Sequence, residues 1–218
     1  MTKEDLHLHS NFSDGENSLE EMMQSAISLG YTKIAFTDHV RIETMWLQEY
    51  VKEIKRLQGK YKKEIEILAG VEAKVINLKG ELDLPPDFPE EINLILASFH
   101  RMPKGERIYF TPEEILADKK TVLEYWSKAM LNVLKNPKAD IIAHPTSFLD
   151  KYAIILPETL KQKISQEAKL NNKIFEINLK YHCPDEEFIS ILKEHNVKLS
   201  YGSDSHSVGQ FQQLHLKR

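Results

Sequence analysis

Seven short runs of apolar and β-branched residues punctuate the chain, at Asp5–Leu8, Lys33–Thr37, Ile65–Val71, Ile92–Ser98, Asp140–Ala143, Lys173–Leu179 and Val197–Tyr201. Their length and composition predict β-strands. Between most of them the apolar spacing changes to that of amphipathic helices. The first helix opens on the capping box Ser18-Leu19-Glu20-Glu21 and repeats through Leu19, Met22, Met23, Ala26 and Ile27 until Gly30 stops it. A second runs from Thr44 to Lys62 with Leu47, Val51, Ile54, Leu57 and Tyr61 on one face. Thr111-Pro112-Glu113-Glu114 combines a capping box with proline at the first helical position, and helical character continues to Asn136, before Pro137. Further helices fit Pro157–Asn171 and Asp185–Asn196. The irregular stretch Asn77–Glu91, with Gly80, Pro85, Pro86 and Pro89, reads as a long loop over the mouth of the fold.

Strands alternating with helices point to the α/β class, with parallel strands joined by crossovers. Seven units suggest a closed or nearly closed barrel, with an open doubly wound sheet as the alternative. The chain has 218 residues and 41% hydrophobic content, which suits a single domain spanning 1–218. A net charge of −4 lacks the basic excess of a protein that holds a polyanion, so no stable nucleic-acid partner is expected. Acidic residues occupy the amino-terminal stretch where a signal peptide needs a basic and then an apolar run, and no segment approaches a membrane span. A single cysteine, Cys183, cannot form an internal disulfide, and a cytoplasmic location is expected.

Onto this map fall nine side chains of metal-ligand type: His7, His9, Asp14, His39, Glu72, His100, His144, Asp204 and His206. Each lies at, or just beyond, the carboxyl end of a predicted strand, and alternate residues such as His7/His9 and Asp204/His206 share a strand face. An open sheet would hardly gather ligands from the first and last strands at one point, whereas a ring does so naturally, and barrel enzymes gather their chemistry on this rim. Imidazole and carboxylate ligands without thiolate suit Zn²⁺, Mn²⁺ or Fe²⁺. At about three or four protein ligands per catalytic ion, nine predict two or three ions. Glu72, with two oxygens, is the natural bridge.

Around the rim, Arg101, Arg41 and Lys180 are candidates to grip an anion, with Arg101 first because it follows His100 and can pair bidentately with phosphate. Asn178 ends strand six and could bind substrate or cap its loop; His182 in the same loop is a further candidate contact. Asp38 or Asp5 could orient an imidazole from behind. Ser10 and Ser205 adjoin ligands, but neither has the neighbours of an activated nucleophile. His195 and His215 read as structural.

The motifs Asp5-Leu6-His7-Leu8-His9-Ser10, Ser13-Asp14-Gly15, Thr37-Asp38-His39, Gly70-Val71-Glu72, Ser98-Phe99-His100, Ala143-His144-Pro145 and Gly202-Ser203-Asp204-Ser205-His206 resemble the PHP (polymerase and histidinol phosphatase) superfamily of metal-dependent phosphoesterases. The likeness spans nearly the whole chain and fills all nine metal positions of that family. It implies a distorted (β/α)7 barrel with a trinuclear centre, of the small stand-alone phosphatase type with no polymerase attached. By the resemblance His7, His9, Glu72 and Asp204 hold one ion, Glu72, His100 and His144 a second, and Asp14, His39 and His206 a third. The implied reaction is hydrolysis of a small phosphomonoester, histidinol phosphate being the named candidate. A metal-bridging hydroxide would attack phosphorus at the site of His7, His9, Glu72, His100 and Asp204. The alternatives are a nuclease or phosphodiesterase of the same family and a metal-dependent amidohydrolase.

Overall fold

A computed structural model describes residues 3–216. The elements follow in the order β1 (Glu4–Leu8), α1 (Leu19–Ser28), β2 (Lys33–Phe36), β3 (His39–Val40), α2 (Leu47–Tyr61), β4 (Glu66–Lys74), β5 (Leu94–Ser98), β6 (Pro103–Gly105), β7 (Ile108–Tyr109), α3 (Pro112–Ala117), α4 (Lys119–Val133), β8 (Ile141–Ile142), α5 (Ser147–Lys151), α6 (Glu158–Leu170), β9 (Ile174–Asn178), α7 (Glu186–Glu194), β10 (Lys198–Gly202) and α8 (Val208–His215). The main sheet runs β1-β2-β4-β5-β8-β9-β10, all parallel, with the short β3 also paired to β4. It is nearly closed into a distorted (β/α)7 barrel. The seam lies beyond the strand ends: Leu8 bridges Ser205, His9 N–H donates to Ser205 O at 3.0 Å, and Asp204 N–H donates to His7 O at 2.9 Å. Asp5 seals it from below, its carboxylate accepting Ser203 N–H at 3.1 and 3.2 Å.

Strand alternation sets what points inward. Leu68, from β4, packs with Leu6, Ala35, Leu94, Leu96, Ile141, Ala143 and Ile174 in an apolar plug drawn from strands and their ends alone. Ile67, Ala69 and Val71 face the other way, into a core shared with α1 and α2. The next inward position above Leu68 and Gly70 is therefore Glu72. β4 runs on to Lys74, so Glu72 sits within a strand and its direction is fixed by the pleat. In β1 the pairing shifts register between Asp5 and Leu8, an irregularity of the kind that re-aims side chains near active sites. Leu6 thus joins the plug and Leu8 the outer core, while His7 turns to the site above the plug.

The helices follow their sequence signals closely. Ser18 and Glu21 form the capping box of α1, and Thr111 and Glu114 that of α3. The region predicted as one helix from Thr111 to Asn136 is broken at Asp118, which ends α3 and then caps α4 by accepting Thr121 N–H at 3.0 Å. The Asn77–Glu91 stretch does not cover the mouth. It is the crossover from β4 back to β5, running down the outside, where Leu82, Leu84 and Phe88 pack on the outer core. At its upper end Asn132 and Asn136 of the α4 region donate to Leu78 O and Gly80 O. The short β3, the β6–β7 hairpin, α5 and α8 escaped the sequence reading. His215 belongs to α8, tilted against Tyr31, and His195 ends α7 beside Gln162. No helix among the described residues is long and apolar enough to cross a membrane.

Candidate metal centre

The nine side chains singled out from the sequence come together at the carboxyl rim. Glu72 is their hub, 1% exposed. Its Oε1 faces His100 Nε2 at 3.1 Å and His144 Nε2 at 2.9 Å. Its Oε2 faces His7 Nε2 at 3.3 Å, His9 Nε2 at 3.6 Å and His39 Nδ1 at 2.9 Å. Asp204 Oδ1 lies 3.3 Å from His9 Nε2 and 3.5 Å from His206 Nδ1. Asp14, in the loop after β1, reaches His39 Nε2 at 3.5 Å and His206 Nε2 at 3.4 Å.

Three sets have donor atoms within 4.8 Å of one another: His7, His9 and Asp204; His39, Glu72 and His100; and His9, Asp14, His39 and His206. They overlap the three-way division implied by the family resemblance but differ from it: Glu72 is not in the set of His7, His9 and Asp204, His9 joins Asp14, His39 and His206, His39 also groups with Glu72 and His100, and His144 meets Glu72 by direct contact.

Several outer ring nitrogens are already engaged, which aims the inner ones. His7 Nδ1 is 2.7 Å from Glu176 Oε1, His144 Nδ1 is 2.9 Å from Ser147 Oγ, and His206 Nδ1 is 3.0 Å from Asp204 O. With the outer nitrogen donating, each Nε2 presents a lone pair to the cluster, the usual arrangement behind a ligating histidine. Glu72 Oε2 is buried and makes no well-aligned hydrogen bond, although His39 Nδ1 lies 2.9 Å away. An orphan carboxylate oxygen among imidazole lone pairs is costly unless a cation sits between them. The donor set therefore fits divalent ions that favour nitrogen and oxygen ligands.

The electrostatics couple the carboxylates to the imidazoles around them. Burial works against charge on Glu72, but His100, His7 and His39 hold its pKa well below the usual carboxylate range. Burial likewise opposes charge on His7, yet Glu176, Glu72 and Asp204 raise its pKa well above that of an ordinary imidazole. His9 goes the other way: burial, with His7 and His39 beside it, pushes it down to about 3. Burial opposes charge on His39 and His144 as well, yet Glu72 raises both, so in the metal-free protein imidazole protons offset the carboxylates, and these are the protons that a bound cation would displace.

The supporting residues are partly those expected. Arg41 and Arg101 line a cavity of about 300 Å³ together with Asp14, His39, Glu72 and His100. Lys74, which the sequence did not single out, completes its cationic wall. The Arg101 guanidinium lies over the Tyr109 ring at 4.6 Å. Lys180 Nζ is 3.3 Å from Asp204 Oδ2, so it contacts a candidate ligand. Asn178 takes the loop-capping alternative: its Oδ1 accepts Lys180 and Tyr181 N–H, and its Nδ2 donates to Glu176. His182 is exposed at a positive φ of 53°. Tyr181, its neighbour, packs edge-on to His144 at 5.3 Å instead.

Neither Asp38 nor Asp5 orients an imidazole. Asp38 accepts from Ser10 N and Oγ and from Ser13 Oγ, fixing the loop that carries Asp14, while Asp5 holds backbone at the seam. Glu176 does that work for His7 and was missed. A carboxylate between Phe175 and Ile177 in a buried strand was the available signal. Ser10 Oγ donates to the Asp38 carboxylate, which Ser10 N–H and Ser13 Oγ also engage, and Ser205 Oγ donates to Ser203, so neither hydroxyl is hydrogen-bonded to an imidazole in the manner of an activated nucleophile.

A rim of histidines and carboxylates on a seven-stranded parallel barrel defines a class, and comparison with known proteins agrees. A PHP-domain family model matches residues 5–181, so the chain belongs to the PHP family and is a metal-dependent phosphoester hydrolase. A relative from Acetivibrio thermocellus, described as a probable phosphatase, is 30% identical over 226 residues, covering 97% of this chain and 83% of its own length. The DNA polymerase/3'-5' exonuclease PolX of Bacillus subtilis is 28% identical over 219 residues, which cover 94% of this chain and 34% of PolX. Among solved structures, histidinol phosphate phosphatase of Lactococcus lactis, complexed with zinc, L-histidinol and phosphate, superposes with a TM-score of 0.70. That match covers 99% of this chain and 93% of that one at 23% identity, which shows a shared fold.

Proposed function

We propose that this chain is a phosphomonoesterase acting on a small phosphorylated metabolite through two or three divalent ions at the barrel rim. The observation that carries the reading is the division of Glu72: its two oxygens face two different sets of imidazoles, beside a small cavity walled by Arg41, Lys74 and Arg101. Two donor sets joined by one carboxylate are what a multinuclear centre needs, and three cations beside them suit a phosphate.

His7, His9, Glu72 and Asp204 would hold one ion, Glu72 with His100 and His144 a second, and Asp14, His39 and His206 a third. Bound there, such ions supply positive charge for the phosphoryl oxygens and lower the pKa of a water from 15.7 towards about 7. The chain's own residues do the positioning. Arg101, backed by the Tyr109 ring, presents a planar fork for two phosphate oxygens. Lys74 is held by Asp83 Oδ2 at 3.4 Å, which keeps its ammonium at the cavity wall. Lys180 steadies Asp204 and partly offsets its charge.

His100 also borders a second cavity of about 560 Å³, lined by Phe148, Lys151 and Tyr181 among others. That volume suits a compact leaving group better than a polymer. The Lactococcus relative makes histidinol phosphate the first compound to try. The deciding experiment is phosphate release from a panel of phosphomonoesters by protein reconstituted with Zn²⁺, Mn²⁺ or Fe²⁺, with oligonucleotide ends as a comparison arm. Turnover of at least one small monoester is expected. Release from none of them, or from oligonucleotide ends alone, would defeat the reading.

A further inference from the structure

β9 is the one barrel strand that supplies no candidate ligand, yet it places a fully enclosed carboxylate directly behind the site. Glu176 is 1% exposed and its two oxygens take three donors. Oε1 meets His7 Nδ1 at 2.7 Å; Oε2 accepts the His144 backbone N–H and Asn178 Nδ2. One side chain therefore sets the ring of one candidate ligand and the backbone of another, the second at a positive φ of 29°. The chain is also shaped around it. A Cβ on Gly202, in the neighbouring strand, would fall 1.8 Å from Glu176 Oε1 and 2.7 Å from His7 Cβ, so only glycine leaves room for the carboxylate. A carboxyl group enclosed this completely, with His7 rather than Lys or Arg as its ion-pair partner, is expensive to keep for packing alone.

We infer that Glu176 is a positioning residue for the metal centre, fixing the His7 tautomer that offers Nε2 to an ion while tying β8 to β9 through His144. This rests on the metal-dependent reading above. Its general basis is that carboxylates behind ligating histidines typically account for about 10–100-fold in metal affinity.

The test is chelator competition with Zn²⁺ alone on wild type and Glu176→Gln, paired with melting curves of each in the metal-free and loaded states. Glu176→Gln keeps the shape and one acceptor but loses the charge. It should bind Zn²⁺ about 10–100-fold more weakly and gain less thermal stability from the ion, and its metal-free melting point should fall as well, because the amide N–H₂ meets a donor on whichever side it turns. Should it fail to fold, Glu176→Asp, which keeps the charge but withdraws it from His7, is expected to weaken binding in the same direction. Wild-type affinity in whichever variant folds, whatever its metal-free melting point, would make Glu176 merely structural and overturn the inference. Wild-type protein that binds no Zn²⁺ would instead defeat the metal reading on which it rests.

Discussion

Replacing Glu72 by glutamine isolates the feature on which the proposed function depends. The amide is nearly isosteric, so the strand and the plug beneath it stay packed, but one of two lone-pair oxygens becomes an N–H₂ donor. That group would point either at His100 and His144, 3.1 and 2.9 Å from Oε1, or at His7 and His39, 3.3 and 2.9 Å from Oε2. Whichever way the amide turns, one set of imidazoles loses its carboxylate partner. Removing one partner of a buried charged interaction costs about 3–5 kcal/mol. At about 1.4 kcal/mol per decade this is roughly a hundredfold to a few thousandfold in affinity for an ion at that set. Glu72→Gln should therefore lose at least one ion per chain by elemental analysis after gel filtration, and phosphate release should fall by about a hundredfold or more. A variant that keeps the wild-type ion content and more than a tenth of its turnover would refute the argument that Glu72 joins two metal sets.

Four further outcomes follow from named contacts. Gly202→Ala drives a methyl group into Glu176 Oε1 and His7 Cβ. It should cost about 1–3 kcal/mol of stability in denaturant melts, as overpacking does, and lower metal content. Arg101→Ala and Lys74→Ala should each raise KM for a phosphomonoester several-fold with little loss of metal, because both line the anion cavity without contacting the donor cluster directly; unchanged KM in both would remove the cavity from the account. Asp118→Ala removes the cap of α4 and should lower the melting temperature without altering kcat. Treatment with a strong chelator should abolish phosphate release, and added Zn²⁺, Mn²⁺ or Fe²⁺ should restore it.

Much of this was legible before any coordinates, for identifiable reasons. The seven strands carry β-branched runs long enough to recognise, and the helix starts at Ser18 and Thr111 are written in capping boxes. The histidines were readable because barrel strands end on one rim, so position along the chain translates into position in space. What stayed hidden depends on what lies opposite. Glu176 looks like any polar residue in a strand until β1 brings His7 against it. Lys74 looks like a residue beyond its strand until β4 proves long enough to carry it to the cavity that it lines with Arg41 and Arg101. Asn178 has the right chemistry for a substrate contact, but the turn after β9 and Glu176 use both ends of its amide. The Asn77–Glu91 stretch has the composition of a loop, and composition cannot say whether a loop crosses the mouth or descends the wall. Its leucines and Phe88 decide that by packing outside the sheet.

The central claim is that divalent ions gather around the two oxygens of Glu72. Anomalous X-ray scattering from crystals of the metal-loaded protein tests it most directly. The account predicts at least two peaks per chain, one on the Oε1 side with His100 and His144 and one on the Oε2 side with His7, His9 and Asp204. A single peak away from Glu72, or ions bound only at surface carboxylates, would contradict it.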